Sequence, residues 1–457
     1  MRIINAVLNL NGIFEQFEIE FLDSDDTTIH YLVGNNGAGK THLIQHLHKA
    51  VVNATSANHI VGSVELSAKI LDRQEVISAI TEAKWLASNR SQPGLLTRPD
   101  NNNPVVVSTS NRSEVAQLEK RFRASVLSNV EINFTKSKIS NITAEQPDTE
   151  NPIETSQNLN TVIPQILVNI QQQDDAFIAQ WMRQNSGEAV PEEFPDTKLS
   201  RFKSAYNNIF GSEKRFERVK PKDGEHKVIF VDKDEQEVEI SDLSSGEKQI
   251  VFRLGFILKN LDTIDNGTVF IDEPEISLHP EWQLRFKRVL LEIFAGKNVQ
   301  IFIATHSPYI FGDINPNIEE CIRIDRHTNT AERVVFPQIN QSSGYDNPSM
   351  NLVNYKAYGI PSTGLHIELY NAVQVACGSS QVANAESWLV SKGLQKTNYS
   401  VSGQTQYLND DGSPSQYAAE ETMPTWIRNT LNHPITDRRE FNMNDLSASI
   451  ELMLGVL

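Results

Sequence analysis

Eight consecutive residues, Gly34-Asn35-Asn36-Gly37-Ala38-Gly39-Lys40-Thr41, match the pattern G-x-x-x-x-G-K-[ST] in full. Glycines at these positions let the backbone N–H groups from Asn36 to Gly39, Ala38 included, wrap a polyphosphate that a Cβ would keep at a distance. Lys40 brings a point charge to the β- and γ-phosphates, and the Thr41 hydroxyl is placed to ligate Mg²⁺. The run Thr268-Val269-Phe270-Ile271 ends in two carboxylates. Asp272 suits a magnesium ion through a bound water, and Glu273 can polarise an attacking water as general base. A third apolar run, Ile301 to Ala304, delivers His306 just past its end, where a neutral imidazole can bond a γ-phosphate and orient the water. In Leu243-Ser244-Ser245-Gly246-Glu247-Lys248-Gln249, the residues Ser244, Ser245 and Gly246 precede an apolar helical run. They cap it, with Glu247 in its first turn, and leave free N–H groups facing outward for an anion.

These groups need elements to carry them. Residues 3–21 alternate and turn at Gly12, which predicts a hairpin. Residues 27–33 read as a strand, and those from Thr41 onward have helical periodicity, so the glycine loop sits between strand and helix. Residues 161–184 predict a helix and 227–240 a hairpin turning at Lys233-Asp234. Val105 to Val107 reads as a short buried strand, and 138–160 as a polar surface loop. Helix, helix and strand follow over 245–260, 280–295 and 298–305, an α/β rhythm. After a polar linker at 340–348, helices are expected over 361–377, 383–393 and 444–454, with 399–418 a loop. No repeat or sustained heptad is visible, which excludes a long coiled-coil arm.

The chain has 457 residues, 41 basic and 58 acidic, for a net charge of −17. That excludes a protein that coats nucleic acid with an overall basic surface, though not one with a local basic groove. Two cysteines, Cys321 and Cys377, make neither a disulfide framework nor a zinc cluster, and no apolar run is long enough to span a membrane. With no signal-peptide pattern at the start, a cytoplasmic location is expected.

In type and order along the chain, the glycine loop, the Leu-Ser-Ser-Gly run, the Asp-Glu strand and the histidine resemble the ABC-type ATPase heads, over roughly residues 1–335. The resemblance implies an α/β fold, a P-loop NTPase of ABC ATPase-head type with an inserted lobe at about 52–240 and a helical C-terminal region. It implies ATP and Mg²⁺ as ligands and a homodimer or higher homo-oligomer, with Ser245 and Gly246 of one protomer closing on the γ-phosphate held by Lys40 of the other. Glu273-Pro274-Glu275-Ile276-Ser277-Leu278-His279-Pro280 replaces the ending found in transporter heads and looks like the RecF- and OLD-type ATPases. A fused OLD-type nuclease would carry a Toprim domain, and no Asp-x-Asp strand unit follows residue 310. The layout, a head over 1–340 and a helical assembly or docking region over 341–457, resembles the PtuA family, the ATPase subunits of Septu antiviral systems. That implies a separate HNH nuclease partner of the PtuB kind, with nucleic acid reached through the complex.

No glutamine loop can be placed: its expected region offers Ser108-Thr109-Ser110-Asn111, with Gln165 and Gln171 as alternatives. In the tail, Arg428 and His433 resemble the Arg-x4-6-His motif of HEPN ribonucleases, which implies an alternative function as an ATPase-triggered ribonuclease. A RecF-like DNA-repair ATPase is the other alternative. Two basic runs, Lys214, Arg215, Arg218, Lys220 and Lys222, then Arg285, Lys287 and Arg288, could line a phosphate groove, although solvated faces are the commoner outcome.

Overall fold

Strand β3, Thr28–Val33, is buried at all six positions because sheet neighbours and helices cover both its faces. It lies in a six-stranded sheet with β8 (Ser125–Ser128), β12 (Thr268–Asp272), β13 (Gln300–Ala304), β14 (Glu319–Asp325) and β15 (Thr330–Val334), in the order β15-β14-β3-β13-β12-β8. The pairs β14·β3, β3·β13, β13·β12 and β12·β8 are all parallel. The carboxyl ends of β3, β13 and β12 therefore lie side by side, and ligands of open α/β sheets bind at such an edge. The computed structural model describes residues 2–24, 26–52, 62–69, 82–88, 97–100, 103–106, 125–128, 159–186, 197–211, 213–222, 225–261, 264, 266–312, 314–337, 348–433 and 435–457.

A second sheet, β2-β1-β4-β5-β6-β7, is antiparallel. Its strands are β1 (Arg2–Leu10), β2 (Phe14–Glu20), β4 (Gly62–Lys69), β5 (Glu82–Ser88), β6 (Thr97–Asp100) and β7 (Asn103–Val106). Helix α1, Lys40–Val52, packs between the sheets: Leu43, Ile44, Leu47 and Val51 share one core with Leu8, Phe14 and Phe17 on one side and Phe270 and Phe302 on the other. Polar side chains stitch the sheets together at the opposite edge. Gln300 accepts from Ile3 N and donates to Ile3 O, both at 2.8 Å. The His30 ring meets Thr28 Oγ1 at 3.0 Å and Glu320 at 2.6 Å, and burial lowers its pKa despite that carboxylate.

Four more helices belong to this unit: α2 (Leu159–Gln184), α3 (Lys198–Phe210), α4 (Ser245–Lys259) and α5 (Pro280–Ile293). A three-stranded sheet, β9 (Lys214–Lys222), β10 (Glu225–Asp232) and β11 (Glu237–Glu239), completes it. The predicted hairpins and the helices predicted over 161–184, 245–260 and 280–295 are present, while α3 was not expected. Of the strands described within 52–240, β9 to β11 form a sheet of their own, and the others join the two larger sheets. β4 to β7 extend the antiparallel sheet, while β8, with all four residues buried, is an edge of the central one. Val107 and residues 138–158 of the predicted 138–160 loop lie outside the described residues, while Leu159 and Asn160 open α2 instead.

The division into compact units falls between Arg333 and Val334 rather than at 340. The second unit is not purely helical. It holds α6 (Met350–Tyr358), α7 (Thr363–Ala376), α8 (Val382–Ser391), α9 (Met423–Asn432) and α10 (Met443–Leu454). Two short antiparallel ladders accompany them, β16 (Lys396–Asn398) with β19 (Glu420–Thr422) and β17 (Gln406–Leu408) with β18 (Pro414–Ala418). The polar 399–418 segment forms a ladder because Tyr407 anchors it in the unit's core, fully buried and bonded to Glu421 at 2.9 Å.

Gln300 makes two buried hydrogen bonds to one backbone residue, so Gln300→Ala should destabilise the first unit by about 2 kcal/mol. Urea unfolding should show a lower midpoint at unchanged slope.

Candidate nucleotide site

The glycine loop leaves β3 at Gly34 and enters α1 at Lys40. Two of its glycines are required by the protein's own packing. A Cβ on Gly34 would stand 2.4 Å from the Ile324 carbonyl oxygen, and one on Gly39, at φ +93°, would stand 2.6 Å from the Phe14 ring. Lys40 Nζ donates to the Gly34 carbonyl at 2.9 Å and the Asn35 carbonyl at 3.3 Å, and meets His306 Nε2 at 2.8 Å. Burial lowers its pKa to about 8, against the pull of Glu273, Asp272 and Glu275.

His306 arrives from the end of β13, between Lys40 and Glu273. Its Nε2 is 3.5 Å from Glu273 Oε1, and burial and the Lys40 charge lower its pKa, which favours the neutral imidazole. Glu273 follows β12 directly. Its N–H donates to the Ala304 carbonyl at 2.8 Å, and its backbone is left-handed at φ 41°, a strained conformation for a non-glycine residue. The Thr41 hydroxyl donates to Asp272 Oδ1 at 3.2 Å, while the buried Asp272 Oδ2 has no hydrogen-bond partner. An orphaned carboxylate oxygen beside a threonine hydroxyl fits a magnesium ion, so Thr41 and Asp272 are the residues that would hold it.

Sequence reasoning assigned no role to three further residues. Glu275 Oε1 accepts from the His306 backbone N–H at 2.6 Å and so holds the histidine's turn. Gln283 bridges the Leu278 carbonyl at 2.8 Å and the Ser307 hydroxyl at 2.5 Å. Arg253, almost wholly buried, donates through Nη2 to the carbonyls of Asp272 at 3.2 Å and Glu273 at 3.3 Å, and through Nη1 to Ser128 Oγ at 3.0 Å. Its signal was a lone charge inside the apolar run Ile250 to Leu258.

The serine run is placed differently from the other groups. Ser244 caps α4 in a capping box with Glu247, and Ser244 and Ser245 are exposed. Gly246 is buried, and a Cβ there would lie 2.3 Å from the Ser277 carbonyl oxygen, so its bareness serves packing within the chain. The Glu247 carboxylate is not free for a ligand: it accepts from Ser244 N at 2.6 Å and pairs with Lys214 at 2.8 Å.

Residues 111–312 match the family model described as AAA domain, putative AbiEii toxin, Type IV TA system. A retron Ec83 probable ATPase of Escherichia coli is 33% identical over 91 residues, 18% of this chain and 16% of that protein. An OLD nuclease of Thermus scotoductus (strain ATCC 700910 / SA-01) is 51% identical over 49 residues, 11% and 9% of the two chains. The chain is similar to AAA-family ATPases of the OLD-nuclease and retron kind. The matched spans cover less than a fifth of these relatives' lengths. Among solved structures, an Smc head bound to the C-winged helix domain of ScpA shares 12% identity at a TM-score of 0.43, over 73% of this chain and 97% of that one. The family match spans the serine run, the Asp-Glu strand and His306, while the glycine loop lies before it.

The remaining candidates are held elsewhere. Lys214 pairs with Glu247, Arg215 with Glu235, Lys220 with Glu237, Arg285 with Glu281 and Lys287 with Glu319, so most of both basic runs is neutralised within the chain. Gln171 binds Val219 N and O and fastens β9, Gln165 bonds Asn169, and 108–111 lie outside the described residues. Arg428 donates to Asn429 Oδ1 at 2.9 Å, while the exposed His433 ring packs 5.3 Å from Tyr417. Among the described residues no hydrogen bond or ion pair joins Arg428 to His433, because His433 ends α9 with extended backbone.

Burial raises the Asp272 pKa from 3.8 to about 6, with Glu273 adding to the shift and Thr41, Arg253 and Lys40 opposing it. A carboxyl raised on folding contributes stability that is full below its unfolded pKa and is lost as pH rises through the folded one. Without divalent cation the thermal midpoint of the wild type should therefore fall, relative to Asp272→Asn, as pH goes from about 4 to about 6.5. Differential scanning fluorimetry of the two proteins across that window checks it.

Proposed function

We propose that the chain binds Mg²⁺·ATP at the edge shared by β3, β13 and β12 and hydrolyses it when two copies pair. Ser245, at the N-terminal end of α4 in one copy, would reach the γ-phosphate held by Lys40 of the other copy. The observation that carries this reading is the convergence of Lys40, Thr41, Asp272, Glu273 and His306 through contacts of 2.8 to 3.5 Å. A magnesium ion held by Thr41 and Asp272 would supply positive charge to offset that of the phosphates. Lys40 exchanges its carbonyl partners for phosphate oxygens, and the backbone N–H groups of Asn36 to Gly39 supply the rest of the cradle. Glu273 takes a proton from water, with neutral His306 fixing its direction. The exposed Ser245 stands eight residues, about 12 Å along the helix, from the Arg253 contact with Asp272, which favours its use by a second copy.

The likeness to retron ATPases and an OLD nuclease supports a place in phage defence. The reading is completed by the resemblance to the PtuA family of Septu systems: a regulatory ATPase subunit whose nucleotide state controls a separate HNH-type DNA nuclease. Nothing in the packing of Arg428 and His433 favours the ribonuclease alternative.

Lys40→Ala should abolish binding of a fluorescent ATP analogue. Glu273→Gln should bind it normally, hydrolyse about a hundredfold more slowly, and accumulate as an ATP-dependent dimer in sedimentation. For the shared site, a mixture of Lys40→Ala and Ser245→Arg chains should regain hydrolysis that neither shows alone. A mixture that stays inactive removes the two-copy arrangement.

A further inference from the structure

Two non-glycine residues in the loop after β12 hold left-handed backbone, Glu273 at φ 41° and Ser277 at φ 63°. Helix α4 touches both. Near its start, Gly246 lies so close to Ser277 that no Cβ would fit. Two turns later, the Arg253 guanidinium holds the carbonyls of Asp272 and Glu273 with one nitrogen and Ser128, at the end of β8, with the other. Arginine suits this place because its planar fork spans two strand ends, which a lysine ammonium would not. Its hydrogen bonds also go to carbonyl oxygens and a hydroxyl, leaving the carboxylates of Asp272 and Glu273 available for chemistry.

We propose that α4 is a two-point clamp on the catalytic loop of its own chain, with Arg253 the positioning residue that holds Glu273 in place. The exposed Ser244–Ser245 end and the general base of the same copy then lie at two ends of one rigid rod. Contact made by the serines with a second copy's nucleotide would be felt at the first copy's Glu273, so that the two sites of a pair act together. This rests on the ATPase reading above.

The test compares full-length wild type and Arg253→Lys. Hydrogen exchange without nucleotide should quicken about tenfold across 273–278 while 34–41 keeps its rate. In hydrolysis assays kcat should fall about tenfold with the ATP dissociation constant unchanged. Ser128→Ala removes one anchor and leaves the guanidinium. It should give the same pattern at smaller amplitude, and it decides the question if Arg253→Lys does not fold. Unchanged exchange over 273–278 in a folded variant overturns the clamp. A uniform rise across the head, faster local exchange with unaltered kcat, or loss of nucleotide affinity in step with kcat would do the same. A wild-type chain that hydrolyses no ATP defeats the ATPase reading, while the exchange comparison still decides the clamp.

Discussion

Two buried cations, Lys40 and Arg253, face three carboxylates, Asp272, Glu273 and Glu275, at one edge of a parallel sheet. With water largely excluded, charge imbalance there is expensive, and every neighbouring element is arranged to limit it. Lys40 spreads its charge over two loop carbonyls and an imidazole. Glu275 accepts a backbone N–H, and burial still pushes its pKa up. The cluster carries one more potential negative charge than positive. The addition that relieves it is a further cation, and the unsatisfied Asp272 oxygen marks where that charge would go.

The edge exists because three buried strands run in parallel side by side, and because the residues that follow them have almost no freedom. Gly34 is wedged against the backbone at Ile324 and Gly39 against Phe14, so the antiparallel sheet bears on the phosphate loop as closely as the strands beneath it. At the other end of the sheet, Gln300 locks β1 by both its donor and its acceptor, and the hairpin that presses on the loop cannot drift from the strands that carry the acids.

Much of this was readable from residue order. The glycine loop, the Asp-Glu pair and the histidine each terminate an apolar run, and period and punctuation locate such ends well. The hairpins at 3–21 and 227–240 follow from the same signals. What escaped notice depends on partners distant in the chain. Arg253 looks like an interruption in an apolar helix until Ser128, 125 positions away, is beside it. Glu247 looks like a free acid near a phosphate until Lys214 is found on it. Ser125–Ser128 are four unremarkable residues that become a buried strand only because Thr268–Ile271 lies alongside. The 399–418 segment, polar enough to read as a loop, pairs as a ladder because one tyrosine commits it to the core.

The internal neutralisation of the basic strand and helix bears on how the molecule meets a polyanion. With Arg215, Lys220, Arg285 and Lys287 already engaged by glutamates and 17 negative charges in excess, its long-range field repels a nucleic-acid backbone. Added salt would damp that repulsion and quicken the encounter, the reverse of the counterion-release behaviour of basic DNA-binding domains.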